Sequence, residues 1–212
     1  MMRIGILGGT GPAGSALAGR LASIGFPVVI GSRSKYRAME ARDGLVAKWP
    51  DLESLLSYGD NPAAADCDVV VIATPWDSAA TTAQENAAAL EGKVVVSMAN
   101  ALVRVGHEFQ PLVPPRGSVA AHVQAAVPGC RVVAAFHHLP ATELGHLGQP
   151  IDSDVLSATT LRRSRRSARS SRRSPDAGRW ILVSCPTPPR SRPSPLSCCN
   201  STCATRPASR PN

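Results

Sequence analysis

The chain has 212 residues, which is enough for one ordinary domain with a sizeable core. Its net charge of +8 is unevenly distributed: residues 1–156 carry 11 Lys and Arg against 14 Asp and Glu, whereas residues 157–212 carry 12 Arg, no Lys and a single acidic residue. No run of about 18 apolar residues occurs and no signal-peptide pattern opens the chain. We therefore expect a cytoplasmic protein without a membrane segment.

Strand and helix patterns alternate along residues 1–156. Short apolar or β-branched runs predict buried strands at residues 2–7, 28–30, 52–58, 68–73, 93–98 and 131–136. Helical spacing or composition predicts helices over residues 12–24, 34–48, 61–65 and 77–90. This alternation predicts an α/β fold, a Rossmann-type doubly wound parallel sheet, in a domain formed by residues 1–156.

A glycine-rich turn follows the first predicted strand. Gly9, Gly11 and Gly14 have the G-x-G-x-x-G spacing of dinucleotide-binding proteins. In that motif the first glycine allows the tight turn, the second lets a pyrophosphate approach, and the third lets helix and strand pack closely. The strand–turn–helix context favours a nucleotide site over a glycine-rich turn without a ligand.

The residues after the second strand distinguish the two nicotinamide dinucleotides. An NAD site usually has an acidic side chain there, which accepts hydrogen bonds from the ribose. This chain has Ser32 and Arg33 instead, with Lys35 and Arg37 just beyond. A hydroxyl and several cations suit a 2′-phosphate, so the sequence predicts NADP(H). The alternative is that these are solvated residues at a helix start.

Polar and aromatic residues follow the later strands, at the sheet edge where ligands of open α/β folds bind. Thr74, Pro75 and Trp76 are candidate cofactor contacts; Trp76 either walls the nicotinamide side or fills the core. His137 and His138 either orient a substrate by hydrogen bonding or are structural. No His or Cys spacing typical of a metal site occurs, so we predict no metal.

Four segments together resemble one known family. ILGGTGPAG, VVIGSR, ATPWDSA and VVAAFHHLPA, in that order, are similar to segments of the NADPH-dependent coenzyme F420 reductases over residues 1–156. The resemblance implies hydride transfer between NADP(H) and the deazaflavin coenzyme F420. It implies cofactor contacts at Thr10, Gly11, Pro12, Ala13, Ser32, Arg33, Arg37, Pro75 and Met98. The loop 137–141, including Pro140 and Ala141, would lie beside both cofactors.

Residues 157–212 form a low-complexity tail with 12 Ser and 8 Pro, which predicts disorder. The resemblance stops near Leu156. Reading the codons of residues 198–207 one nucleotide earlier allows L-L-Q-L-N-V-R-Y-K-T, which resembles the C-terminus of the family. We therefore hypothesise a frameshift near Leu156. The family's C-terminal helices, which help cover the deazaflavin and build a homodimer, would then be lost, leaving NADPH binding with weak or absent deazaflavin reduction.

Two other functions are compatible with the sequence. The same scaffold carries other NADP-dependent reductases, which act on metal chelates or imines. A non-catalytic nucleotide-binding protein with a basic, nucleic-acid-binding arm is the third hypothesis, because the Arg/Ser run at residues 162–167 resembles phosphate-neutralising segments. We expect small-molecule partners and no nucleic acid.

Overall fold

The computed structural model describes residues 1–149, 151, 155–159 and 183–184. The strands are β1 (Ile4–Leu7), β2 (Val28–Ser32), β3 (Leu56–Asp60), β4 (Val69–Ile72), β5 (Val94–Ser97), β6 (Leu102–Val105), β7 (Glu108–Pro111), β8 (Arg131–Ala135), β9 (Leu156–Thr159) and β10 (Val183–Ser184). The helices are α1 (Pro12–Ser23), α2 (Lys35–Lys48), α3 (Asn61–Ala65), α4 (Ala79–Glu85), α5 (Ala87–Leu90), α6 (Val119–Ala126) and α7 (Ala141–Gly145), with a 3-10 turn at Pro50–Leu52.

The main sheet has the Rossmann strand order. Six parallel strands lie in the order β3-β2-β1-β4-β5-β8, and β9 and β10 continue the sheet in antiparallel fashion beyond β8. The order reverses between β1 and β4, which is where doubly wound sheets bind ligands. The predicted Rossmann-type α/β fold is confirmed.

The parallel strands are buried because helices cover both faces of the sheet. On one face Val70, Ile72 and Val95 pack with α4 and α6 residues such as Val123, and on the other Ile6 and Val28 pack with α1 and α7. Strands covered by helices on both faces of the sheet need apolar side chains on both faces. The runs of Val and Ile that identified these strands in the sequence meet this requirement.

Several local predictions are corrected. The predicted helix over residues 77–90 is two helices, α4 and α5, which separate at Asn86; the buried carboxamide of this residue donates to the carbonyl of Thr82 (2.8 Å). The strand predicted at 52–58 begins later, at Leu56. The hairpin β6–β7 and helix α6 were not predicted.

The domain boundary predicted at residue 156 falls within β9, whose residues 157–159 pair with β8. The predictions for residues 160–182 and 185–212, including the disorder of the tail, lie outside the described residues. In the part of the chain that the structure describes, no helix is both long enough and apolar enough to cross a bilayer.

Candidate functional site

A glycine with a left-handed backbone conformation begins the turn after β1. Gly8 has φ +70, and its amide donates to Oδ1 of Asn61 at 3.3 Å. The next amide, that of Gly9, donates to the carbonyl of Gly31 in β2 at 2.8 Å. Because the positive φ lies at Gly8, this residue allows the tight turn that the sequence motif assigned to Gly9.

Gly11 and Gly14 have different surroundings in this turn. Gly11 is the N-cap of α1; no side chain caps the helix and no acidic residue lies in its first turn. A methyl group on Gly11 would meet only the carbonyl oxygen of Gly8, at 4.0 Å, whereas one on Gly14 would lie 2.9 Å from Cα of Gly9. Gly14 thus permits close packing, and Gly11 leaves open space in front of amides that can bind an anion.

The end of β2 presents a buried hydroxyl and two cations. Ser32 is buried, and its Oγ accepts a hydrogen bond from the amide of Ser34 at 3.3 Å. Arg33 and Arg37 are exposed, and neither forms an ion pair with another described residue. Their charges are therefore available to an anionic ligand.

These features meet in one cavity of about 620 Å³, which we call the turn cavity. It lies at the carboxyl ends of β1, β2 and β4, and its polar lining is formed by Thr10, Ser32, Arg33, Ser34, Arg37, Asn61, Thr74, Ser78, Thr81, Thr82 and Glu85. Oγ1 of Thr74 is buried and has no hydrogen-bond partner among the described residues. A buried hydroxyl normally has a partner, so Thr74 fits a site in which a ligand supplies one.

A separate cavity of about 320 Å³ lies at the carboxyl ends of β5 and β8. Its lining includes Asn100, Ser118, Ala134, His137 and, from β9, Ala158; we call it the histidine cavity. It is mostly apolar and shares no lining residue with the turn cavity. Within the described residues no cluster of three or more His, Cys, Asp or Glu side chains could hold a metal ion.

His137 is the ionisable side chain in the lining of the histidine cavity. Its Nδ1 is buried without a hydrogen-bond partner among the described residues. Burial lowers the pKa of His137, and His138, whose ring lies edge-on at 5.2 Å, lowers it further. A neutral imidazole here can donate or accept a hydrogen bond. Nε2 of His138 instead accepts from the amide of Leu156 at 3.4 Å.

Comparison with known proteins identifies the family. A sequence model described as "NADP oxidoreductase coenzyme F420-dependent" matches residues 3–101. The F420-dependent NADP reductase of Methanocaldococcus jannaschii is 36% identical over 160 residues, which are 73% of this chain and 71% of the relative. The chain belongs to the F420-dependent NADP oxidoreductase family.

Two further members have similar coverage. The F420-dependent NADP reductase of Methanothermobacter marburgensis is 31% identical over 170 residues, 76% of this chain and 74% of the relative. A crystal structure from Arthrobacter sp. FB24, provisionally assigned as an F420-dependent NADP reductase, superposes with a TM-score of 0.60 at 26% identity over 76% of this chain and 75% of that one.

In this member of the F420-dependent family, the residues predicted to bind the cofactor fall into three groups. Those that line the turn cavity are Thr10, Gly11, Ser32, Arg33, Arg37, Thr74 and Pro75. Pro12 and Ala13 form the first turn of α1, and Pro140 and Ala141 form the start of α7. The residues that line neither cavity and pack inside the protein are Gly9, Gly14, Trp76 and Met98.

Trp76 is partly buried against the core cluster on the α4 and α6 side of the sheet. This contact is one that a core residue makes; the alternative role of Trp76, as a wall beside the nicotinamide, stays a prediction. Met98 is buried among the residues of the opposite cluster, and its amide donates to the carbonyl of Ile72 at 3.2 Å.

Sequence reasoning did not identify Asn61. This residue is the first of α3, is buried, and lines both the turn cavity and an adjoining cavity of about 230 Å³ that also contains Arg33 and Asp60. Its carboxamide accepts the hydrogen bond from Gly8, so it holds the turn from the far side. The only signal in the sequence is its place after a strand, because the Asp-Asn-Pro context by itself predicts a turn.

Proposed function

We propose that this chain is an oxidoreductase that transfers a hydride between NADP(H) and the deazaflavin coenzyme F420. The observation that carries the proposal is the turn cavity, with its unpaired cations, in a chain 36% identical to a protein named F420-dependent NADP reductase. The partners are accordingly two small molecules.

The turn cavity has the donors that NADP(H) requires. The free amides at the start of α1, behind Gly11, suit the pyrophosphate. Ser32, Arg33 and Arg37 suit the 2′-phosphate, since guanidinium groups bind phosphate oxygens in pairs. The hydroxyl of Thr74 would then find its partner in the ligand. When bound, NADPH supplies the hydride at nicotinamide C4 to C5 of the deazaflavin.

We place the deazaflavin at the carboxyl ends of β5 and β8, over the histidine cavity and the loop 137–141. Hydride transfer needs little acid–base chemistry, so the residues here act by orienting the ring and excluding water. The neutral Nδ1 of His137 can hydrogen-bond a ring heteroatom, and Asn100, which donates to the carbonyl of His137 at 3.4 Å, steadies the loop. His138 has a supporting role, since its Nε2 accepts a hydrogen bond from the amide of Leu156.

We further propose that residues 1–156 form the NADP-binding unit and that residues 157–212 are read out of frame. The curated relative matches over 160 residues, about 73% of this chain, and 29% of that relative has no counterpart in the match. Homodimer formation, which the family resemblance implies, would depend on the missing part. The decisive test of the frame is the nucleotide sequence around codon 156 in independent DNA.

The proposed reaction is tested with the purified chain and NADPH by comparing three acceptors: oxidised coenzyme F420, a free flavin and a ferric chelate. Loss of the deazaflavin absorbance coupled to NADPH oxidation supports the proposal. Tight NADPH binding with faster reduction of either other acceptor would contradict it. Binding of NADPH without reduction of any acceptor would support the cofactor assignment and leave the acceptor assignment without support.

The choice of NADP(H) over NAD(H) is tested by Arg33→Glu. Because a charge-assisted hydrogen bond to phosphate contributes about 1.5–3 kcal/mol, and a carboxylate repels the phosphate, we expect NADPH to bind at least about tenfold more weakly. NADH binding should change little. Arg131→Glu, at an exposed position on β8, is the matched control. Equal losses for both cofactors would refute the 2′-phosphate assignment.

A further inference from the structure

Arg20, near the end of α1, binds the backbone around α7 through four hydrogen bonds. Its Nε donates to the carbonyl of Leu144 (3.2 Å), and Nη1 donates to that of Gln149 (2.9 Å). Its Nη2 donates to the carbonyls of Glu143 (3.1 Å) and His146 (2.7 Å). Two of these carbonyls, those of Glu143 and Leu144, belong to the last turn of α7, where a helix has few donors of its own; those of His146 and Gln149 lie in the segment after it.

Small residues let α1 and α7 approach closely enough for these bonds. A methyl group on Gly145 would lie 3.7 Å from Cβ of Ala16, and one on Gly19 would lie 3.4 Å from Cδ1 of Leu147. Leu144 is 2% exposed in the same core cluster as residues of α1. Apolar packing of small side chains allows sliding, whereas four directional hydrogen bonds fix one position of α7 along α1.

The position of α7 determines where the preceding loop ends. Pro140 is the N-cap of α7, and His137, three residues earlier, lines the histidine cavity. The N-cap of the same helix α1 is Gly11, which lines the turn cavity. One rigid helix therefore connects the nucleotide turn to the segment that carries His137.

We propose that Arg20 is a positioning residue that fixes the loop 137–141 to α1 and so places His137 in the histidine cavity. The identity of the molecule that His137 faces rests on the proposed function; the positioning itself does not. Lysine cannot replace Arg20, because a single ammonium group cannot present donors in the planar fork that reaches four carbonyls.

The experiment compares the wild-type chain with Arg20→Met, Arg20→Lys and the control Arg131→Met. Amide hydrogen exchange reports residues 141–149, and a histidine NMR titration reports His137, whose signals are identified by their loss in His137→Asn. We expect both Arg20 variants to speed exchange of residues 141–149 by roughly tenfold or more. The strands β1 and β4 should remain as protected as in the wild type, and NADPH binding should stay within about twofold.

The titration reports the position of the loop itself, because a change in the overall stability of the fold would not alter the pKa of His137. Burial lowers the pKa of His137 in the intact chain, so release of the loop should raise that pKa toward its ordinary value. Unchanged exchange or an unchanged pKa in Arg20→Met overturns the proposal. Faster exchange throughout the sheet as well would show general destabilisation, which also overturns it.

A kinetic readout keeps this proposal separate from the proposed function. In a chain that reduces the deazaflavin, Arg20→Met should raise the KM for the acceptor severalfold more than it lowers kcat, and Arg20→Lys should not rescue it. If the wild type binds NADPH but reduces no deazaflavin, the acceptor assignment is left without support, and exchange and titration still decide the role of Arg20.

Discussion

At the scale of single residues, the glycines of the turn separate binding from folding. Gly11→Ala places a methyl group in the open space before the α1 amides, so NADPH affinity should fall while Tm stays close to that of the wild type. Gly14→Ala forces a methyl group to 2.9 Å from Cα of Gly9, so it should destabilise the fold by about 1–3 kcal/mol. Thermal unfolding and NADPH titration measure both effects.

Gly44 provides the control for these two substitutions. It lies within α2, and a methyl group there would meet nothing within 4 Å. Gly44→Ala should therefore raise stability by up to about 1 kcal/mol through helix propensity and leave NADPH binding unchanged. Equal destabilisation by the Gly11 and Gly14 substitutions would contradict the division of roles.

The histidine cavity predicts a pH dependence of stability. Burial and His138 lower the pKa of folded His137 below its ordinary value of 6.5. The unfolded chain therefore binds this proton before the folded chain does. The free energy of unfolding should fall as the pH drops through 6.5 toward the folded pKa, and this contribution should be constant above 6.5.

Urea unfolding over this pH range measures the effect, and His137→Asn should remove its share of the slope. Substitution of the exposed His122 of α6 provides the control. A wild-type stability that rises on acidification through the same range would contradict the assignment.

At the scale of helices and strands, an element could be predicted where its burial leaves a clear pattern of apolar residues in the sequence. Five of the six parallel strands were predicted to within two residues at each end, because strands covered on both faces must be continuously apolar, as in Val69–Ile72; β3 begins four residues later than predicted. The hairpin β6–β7 was missed because every residue of both strands is exposed, so no alternation marks an inner face. Helix α6 was missed because eight residues give too short a periodic signal.

The site was predictable to a similar extent and for a related reason. Glycines and cations at the ends of strands belong to one local motif, so Gly11 and Arg33 could be found from spacing alone. Asn61 contacts the turn across 53 positions in sequence, and no local pattern carries such a contact. The contact of the partly buried Trp76 with the core likewise depends on which helix covers the strand.

The exposed hairpin leads to a prediction about solubility. Val105 and Phe109 are 51% and 68% exposed, so the double substitution Val105→Thr and Phe109→Ser should leave Tm unchanged. It should also reduce light scattering when the protein is concentrated, because exposed apolar clusters promote aggregation. Val95→Thr, at a fully buried position of β5, is the contrasting variant and should lower Tm clearly. A similar fall in Tm for both variants would show that the hairpin packs on the body of the protein.

At the scale of the whole molecule, the proposed frameshift is tested by restoring the alternative reading frame after residue 156. A chain whose residues after 156 come from the alternative reading frame should gain thermal stability, since added helices would cover apolar surface. It should also reduce the deazaflavin faster, while NADPH affinity changes little. Thermal unfolding, the acceptor assay and NADPH titration on both chains measure these three quantities. Equal turnover by the two chains would contradict the hypothesis that an out-of-frame tail weakens deazaflavin reduction.

The antiparallel strand β9 has a consequence for how a folded unit tolerates an altered C-terminus. Its pairing with β8 joins Ser157 to Ala135 and Thr159 to Val133 through main-chain groups. Main-chain pairing is nearly independent of side-chain identity. Many sequences without proline can therefore pair with β8 after Leu156, so an incorrect continuation can still cover the main-chain groups of β8 and move the free edge of the sheet outward, away from the nucleotide-binding half.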